Sequence, residues 1–444
     1  MRRFDLAGVG IGPFNLSLAA LADPLEQLDV VLFDARPEFR WHPGLLVDGA
    51  TLQVPFLADL VSLVDPTSRH SFLNYLRERG RLLPFYFAER FHLPRAEYDD
   101  YGRWAAGRLS ACRFGHEVTG IRWLPAEEAF ELTVTGAEPV LAAAVVLGVG
   151  TRPNVPEPLR ELVAAPDVLA LHSANYLTHR AELLAADSVT VVGSGQSGAE
   201  VFLDLLRSRS TVDGLRWVAR TPAFAPMEYS KLGLEQFTPD YTAYFHGLPE
   251  AVRDRLLPAQ WQLYKGIDTE TIAAIHDELY RLSIGGGWPA AALTPGVEVV
   301  SATSGERGIE LGLRHAEQGS SATHRTTAVV AATGYAETPT EPLLRELAVR
   351  RDERGRLAVG ADNRLELGDG VTGSVFVQNA ERHTHGPGAP DLGLGAWRAA
   401  TILNAVCGKA VYDLPDRTAF TTFGLEKSGR ETPLETPLEN TEEQ

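Results

Sequence analysis

Two glycine-rich turns constrain this chain more than any other feature: FDLAGVGIGPFNLSLAALA at residues 4–22 and VTVVGSGQSGAEVFLDLL at residues 189–206. Each follows a short apolar run, opens a stretch of helical periodicity and is followed by another apolar run, LDVVLFD or LRWVAR. Strand, glycine turn, helix and strand make a βαβ unit whose helix start offers free N–H groups to a phosphate. In the first turn Gly8 is expected to make the bend, Gly10 to let a pyrophosphate approach the backbone and Gly12 to let helix and strand pack; Pro13 belongs to the same site. Asp34 follows Gly12 by about 22 residues, the distance at which an acid takes ribose hydroxyls. In the second turn Gly193, Gly195, Gln196 and Ser197 stand in the same context. The strand after it ends in Arg220, and an arginine there suits a 2′-phosphate, hence NADPH rather than NADH.

Two such units in one chain predict two dinucleotides, FAD at the first turn and NADPH at the second, with ATGY (Thr333, Gly334, Tyr335) returning to the second site. The expected fold is α/β, with two Rossmann-like dinucleotide-binding domains and a small, mainly helical substrate region. The boundaries read as 1–165 with 336–425 for the FAD domain and 166–222 with 291–335 for the NADPH domain. Residues 223–290, which show no strand alternation, form the helical region. The polar tail 426–444 is expected to be disordered. At 444 residues the chain is too long for one ordinary core.

Two large flavoprotein classes share this plan. Disulfide reductases need a redox cysteine pair, and the chain has only Cys112 and Cys407, far apart in sequence. Flavin monooxygenases need FAD, NADPH and a dry pocket, so the cysteine count selects them. A formal net charge of −17 argues against a nucleic-acid partner. No apolar stretch is long enough for a membrane span, and MRRF runs straight into the first strand, so a cytoplasmic protein is expected. His383 and His385 stand two apart with no obvious third ligand, so no metal is expected.

The fragments GVGIGPFNLSLAAL, WHPGLLVDGATLQVPFLADLVSLVDPTSRHSFLNYL, VVGSGQSGAEVFLDL, AATGY and HTHG together resemble the siderophore N-hydroxylating flavoprotein monooxygenases, the lysine, ornithine and diamine N-monooxygenases. The resemblance extends to about residue 420. It implies that NADPH reduces FAD, that O2 forms a C4a-hydroperoxyflavin, and that a neutral terminal amine attacks its distal oxygen. It implies Gln53 beside the flavin as the catalytic-site glutamine, Trp41 and His42 near the isoalloxazine, and Asn379 near the ring before the HTHG loop. It also implies a homo-oligomer, tetramer or dimer.

The substrate pocket departs from the amino-acid branch. Ala58 stands where ornithine and lysine hydroxylases carry a lysine for the α-carboxylate, Leu234 where ornithine enzymes have asparagine, and Gly393 where they have serine. All three changes remove polar groups that would grip an amino-acid head. A substrate without a carboxylate follows, and the chain looks closest to the diamine branch that hydroxylates putrescine or cadaverine. Asp391, Glu228 and Glu235 are candidates for holding the second amine as a cation, and Lys265 and Asp268 for lining the cleft. The alternative is lysine or ornithine N-hydroxylation with a displaced carboxylate partner such as Arg69.

Overall fold

The computed structural model describes residues 1–425; the tail expected to be disordered, 426–444, lies outside the described residues. The run FDLAGV becomes the strand Arg3–Val9 inside a seven-stranded sheet. A parallel strand covered on both faces reads as continuously apolar, not alternating. Its parallel neighbours are Val30–Asp34 and Val140–Leu147, with Cys112–Phe114 beyond the first of these. The other edge of Val140–Leu147 is divided. Its first half pairs antiparallel with Ala129–Val134 and its second half pairs parallel with Ser374–Val377. The late strand therefore delivers Gln378 and Asn379 to the carboxyl ends of the parallel strands, the edge at which open α/β sheets bind ligands.

A second sheet of five parallel strands runs in the order Ala170–His172, Ala328–Ala331, Val189–Val192, Leu215–Val218, Ala292–Thr294. Sequence reading did not separate the antiparallel trio Val297–Gly305, Gly308–His315 and Ser321–Thr326. Its alternating Ile309, Leu311 and Leu313 pack against Val329 and Ala331 of the parallel sheet.

Residues 231–283 hold the helices Lys231–Leu234, Pro239–His246, Glu250–Ala259, Trp261–Lys265 and Thr269–Ser283. Ser230, Thr238 and Asp268 cap three of them with side-chain oxygens. Arg356 ties the helix Glu250–Ala259 to the returning chain through Asp254, Glu250 and Asp352. Two further helices span Phe72–Glu78 and Arg95–Ala106. HTHG, expected as loop, forms the one-turn helix Arg382–His385. Among the described residues no helix is long and apolar enough to cross a membrane.

Candidate active site

The two glycine turns share one backbone geometry. Gly12 and Gly195 cap their helices at φ/ψ of −88/−177° and −89/179°. Gly10 and Gly193 precede them at φ +87° and +131°, a region closed to most L-residues. A side chain at Gly10 would also meet the Gly148 carbonyl at 2.4 Å, and one at Gly193 the Ala332 carbonyl at 2.1 Å. This corrects the roles expected in the first turn. The bend belongs to Gly10. Gly8 lies within the strand, where a Cβ would strike Leu32 at 2.1 Å, so it serves strand packing. Gly12 does not serve helix–strand packing, because a Cβ there meets nothing within 4 Å. Gly12 and the neighbouring Pro13 open the helix toward free space.

Once the turns are registered by geometry, Asn15 occupies the position that Gly198 holds in the second turn. Gly198 permits close packing, since its Cβ would lie 2.5 Å from the Gly193 carbonyl. Asn15 is buried and locks the first turn instead, its Nδ2 donating to Gly10 O at 2.7 Å. Its Oδ1 accepts from Gln378 Nε2 at 2.7 Å, tying the turn to the late strand. The Gln378 Oε1 atom is buried with no partner, next to Asn379 at φ +64°. His42, at φ +47°, is a second site residue held in this unfavourable region. Both glycine cradles and the orphaned amide oxygen fit a dinucleotide at each turn.

Asp34 is buried, and its carboxylate accepts from Ile11 N at 2.7 Å and from Arg36 Nη2 at 2.7 Å. Burial raises its pKa, but the bonds to Arg36 and Ile11 prevail and hold it below the usual carboxylate range. The acid expected at the ribose thus also pins its own turn. At the second turn the exposed Arg220 lies near Lys265, whose pKa is lowered by burial and by the cations Arg382 and Arg220. Sequence reading missed Arg382, which joins this cationic group over the Tyr264 ring that Lys265 also faces, both at 5.4 Å from its centroid. Ser197 is half-buried in the first turn of the helix Gln196–Ser208.

The Gln196 side chain is engaged by protein on both ends: Nε2 donates to Glu200 Oε1 at 2.8 Å and to Thr271 Oγ1, and Oε1 accepts from Asp268 N at 2.7 Å. Thr333 Oγ1 donates to Asn154 O at 2.6 Å, and the Gly334 carbonyl bonds the His172 ring. Tyr335 stands edge-on to both His172 and His42, at 5.2 and 5.3 Å between ring centroids, so ATGY reaches the first nucleotide's side of the cleft. Trp41 packs edge-on against His42 and Tyr98, and its backbone N–H donates to Asp99 Oδ1. His42 keeps surface open to solvent although protein surrounds its imidazole, as befits the floor of a cleft. That surrounding, with Arg95 and Arg36 nearby, lowers its pKa to about 4.

Gln53 lies on the strand Thr51–Pro55. Its Nε2 donates to Thr51 O, its Oε1 accepts from Arg95, and its carbonyl accepts from the Tyr229 hydroxyl at 3.4 Å. Burial and then the carboxylates of Asp268 and Asp391 raise the Tyr229 pKa. Asp391 thus stands within electrostatic reach of the Gln53 neighbourhood. A Cβ built on Gly393 would lie 2.8 Å from Asp391 Oδ1 and 4.0 Å from the Ala58 Cβ. Asp391 and Gly393, two apart in the chain, thus share a turn that faces Ala58 through Gly393. Asp391 Oδ1 accepts from Gly393 N at 2.7 Å, and burial raises its pKa to about 6.

Leu234 ends the helix Lys231–Leu234, half-buried, and is not among the atoms nearest Gly393. The other two acid candidates also accept from backbone N–H groups. Glu228 accepts from Ser230 N, and Glu235 accepts from Phe420 N and Thr421 N. Arg69 is held by Asp23, which also bonds His70. His383 bonds the Leu357 carbonyl, and the buried His385 has its pKa lowered to about 3 by burial and then by His246. Among the described residues no group of three or more metal-ligating side chains is assembled.

Comparison with known proteins identifies the family. The model of the L-lysine 6-monooxygenase/L-ornithine 5-monooxygenase family matches residues 2–337. The chain is 45% identical over 441 residues to the rhizobactin siderophore biosynthesis protein RhbE of Rhizobium meliloti (strain 1021), covering 96% of each chain. It is 41% identical over 429 residues to a putrescine N-hydroxylase of Shewanella oneidensis, covering 95% of this chain and 84% of that one. Among solved structures it is similar to the FAD-bound cadaverine monooxygenase DfoA of Erwinia amylovora, with a TM-score of 0.89 and 37% identity over 96% of this chain and 100% of that one.

Proposed function

The chain belongs to the L-lysine 6-monooxygenase/L-ornithine 5-monooxygenase family, and on that premise we propose that it hydroxylates one terminal nitrogen of an aliphatic diamine of putrescine or cadaverine size. It is an NADPH-dependent flavin N-monooxygenase of the siderophore-biosynthesis type, with FAD and NADPH as cofactors. The diamine reading rests on the meeting of Ala58, Gly393 and Asp391. This corner presents a small apolar wall and one enclosed carboxylate, and Ala58 offers no cation for an α-carboxylate. The amino-acid alternative would need one, and Arg69 is already paired with Asp23.

In this reading Gly10, Gly12, Pro13, Asp34 and Asn15 hold FAD, with Trp41, His42, Gln53 and Asn379 lining its reactive end. Gly193, Gly195, Ser197, Arg220, Lys265 and Arg382 hold NADPH, the three cations facing its phosphates. Bound FAD, reduced by NADPH, activates O2 and supplies the oxygen atom; the balance is amine, O2, NADPH and a proton giving hydroxylamine, NADP+ and water. The residues have two tasks left. A primary amine has a pKa of about 10.4 and arrives protonated, so the reacting end must shed its proton. Desolvation at the reacting end of the pocket favours the neutral form. The distal end must stay charged, and the Asp391 carboxylate holds it as an ammonium. Gln53, clamped by Thr51 and Arg95, keeps its amide fixed where the two meet.

The test is a paired assay on FAD-loaded protein, following NADPH consumption and hydroxylamine formation with putrescine, cadaverine, lysine and ornithine. Tight coupling with a diamine and none with the amino acids is expected. Coupled turnover with lysine or ornithine alone would keep the family and overturn the substrate assignment.

A further inference from the structure

A buried polar chain joins the two halves of the site, and neither glycine turn requires it. Arg95 begins the helix Arg95–Ala106 on the side of the first sheet, and Glu200 lies on the helix that follows the second turn. Arg95 Nη1 and Glu200 Oε2 are 2.7 Å apart, with side chains only 9% and 5% exposed. Each partner reaches onward to a residue that the sequence singled out. Arg95 donates Nε to Thr51 O and Nη2 to Gln53 Oε1, at 3.2 and 3.4 Å. Glu200 Oε1 accepts from Gln196 Nε2, and Gln196 Oε1 accepts from the backbone of Asp268, the cap of the helix Thr269–Ser283. The path runs unbroken from Gln53 through Arg95, Glu200 and Gln196 to the helical region.

Stability alone does not call for such a pair. An apolar pair of similar volume serves a buried contact as well or better, because two desolvated charges recover little net free energy. What a buried ion pair supplies is register: it is strong only when both ends are correctly placed, and an unpaired partner is left in low dielectric. Arg95 also acts on His42 and Tyr335, the aromatic contact between the halves: it adds to the burial that lowers the His42 pKa and partly offsets the burial that raises that of Tyr335.

Resting on the reading of the two turns as FAD and NADPH sites, we propose that Arg95 and Glu200 are positioning residues that hold Gln53 and the nicotinamide-nucleotide turn in register, and that they set how tightly NADP+ is retained. Gln196 is the relay in this arrangement. Its amide aligns the start of the nucleotide-binding helix with Glu200, and so with Gln53.

The experiment measures NADP+ binding to oxidised, FAD-loaded protein by calorimetry for wild type, Arg95→Met, Glu200→Gln and the double variant Arg95→Met/Glu200→Met. Each single variant is expected to raise the NADP+ Kd at least fivefold. The double variant is expected to fall within about twofold of the singles, because one linkage is lost in every case. FAD content and flavin spectrum should stay at wild-type values, and peroxide released per NADPH with saturating diamine should rise. A wild-type NADP+ Kd in both singles, or losses that multiply in the double, would overturn the proposal. Should a single variant fail to fold, the apolar double variant decides alone: a raised NADP+ Kd supports the linkage and a wild-type Kd overturns it. If wild-type protein binds NADP+ but hydroxylates no amine, the proposed function falls while the calorimetry still decides the linkage.

Discussion

Replacing Asp391 by asparagine separates a substrate-binding carboxylate from a structural one, because the two roles predict opposite changes in stability. Asparagine is nearly isosteric and keeps an oxygen for the Gly393 N–H that Asp391 accepts at 2.7 Å. What it removes is the charge. The Asp391 pKa is raised from 3.8 to about 6, mainly by desolvation, with the Gly393 N–H and the Arg398 cation only partly compensating. A carboxyl with a raised folded-state pKa contributes stability below its unfolded pKa and loses that contribution as the pH rises through the folded value. At pH 7.5 the empty protein therefore carries a charge it would rather not hold. The shift corresponds to about 3 kcal/mol at most, and access to the cleft reduces it to about 1–2 kcal/mol. Asp391→Asn should accordingly raise the Tm of substrate-free protein by a few degrees.

The same substitution should weaken diamine binding. A hydrogen bond to a charged group is worth about 1.5–3 kcal/mol, so the KM for putrescine or cadaverine should rise roughly 10- to 150-fold. A monoamine of equal chain length has no distal ammonium and should be nearly unaffected. The assay is hydroxylamine formation at pH 7.5, compared between putrescine and butylamine in wild type and variant, alongside thermal melts. Wild type should prefer the diamine, and Asp391→Asn should abolish most of that preference. An unchanged diamine-to-monoamine ratio in a variant with full FAD content would refute the assignment, and a lowered Tm would show the carboxylate to be part of the fold.

Ala58→Lys should place an ammonium beside Asp391, in the corner where Gly393 approaches Ala58; diamine turnover should fall more than about tenfold, read as hydroxylamine formed. Arg220→Ala should remove one cation facing the 2′-phosphate and lower the NADPH-to-NADH ratio of kcat/KM by about tenfold or more, measured with both nucleotides. Gly10→Ala must adopt φ +87° with its Cβ 2.4 Å from a backbone carbonyl, so purified protein should lack yellow flavin and melt at lower temperature. His42 and His385 have pKa values lowered to about 4 and about 3. The unfolded chain then binds more protons than the folded one below pH 6.5, and Tm should fall as the pH drops from 6.5 toward 4. Asp391 acts against this trend between its folded and unfolded pKa values, so Asp391→Asn should steepen it.

The parts of this protein legible in its sequence are those governed by local physics. A glycine at positive φ, an apolar run too continuous to alternate, and an arginine where an acid would close a ribose site each act within a few residues of chain. They picked out both glycine turns and, with the cysteine count, the class of chemistry. The missing charge at Ala58 was legible for the same reason, since an absence needs no geometry to be read. The roles within the first turn were not legible, because Gly8, Gly10 and Gly12 are equally spaced, and only the packing of Leu32 and Gly148 decides which bends and which lies open.

The rest depended on contacts between residues far apart in the chain. Nothing local distinguishes Asp391 from Glu228 or Glu235. The fold uses Glu228 to hold the Ser230 N–H, uses Glu235 to hold the backbone at Phe420 and Thr421, and sets the turn that carries Asp391 and Gly393 against Ala58. Likewise Arg95 and Glu200, carried by two different helices, become a buried pair only when the tertiary structure brings them together. The sequence determined which chemical groups the chain carries and which turns they sit on. The tertiary structure decided which of those groups lose water and meet, because desolvation and pairing depend on what packs opposite, and that partner comes from elsewhere in the chain.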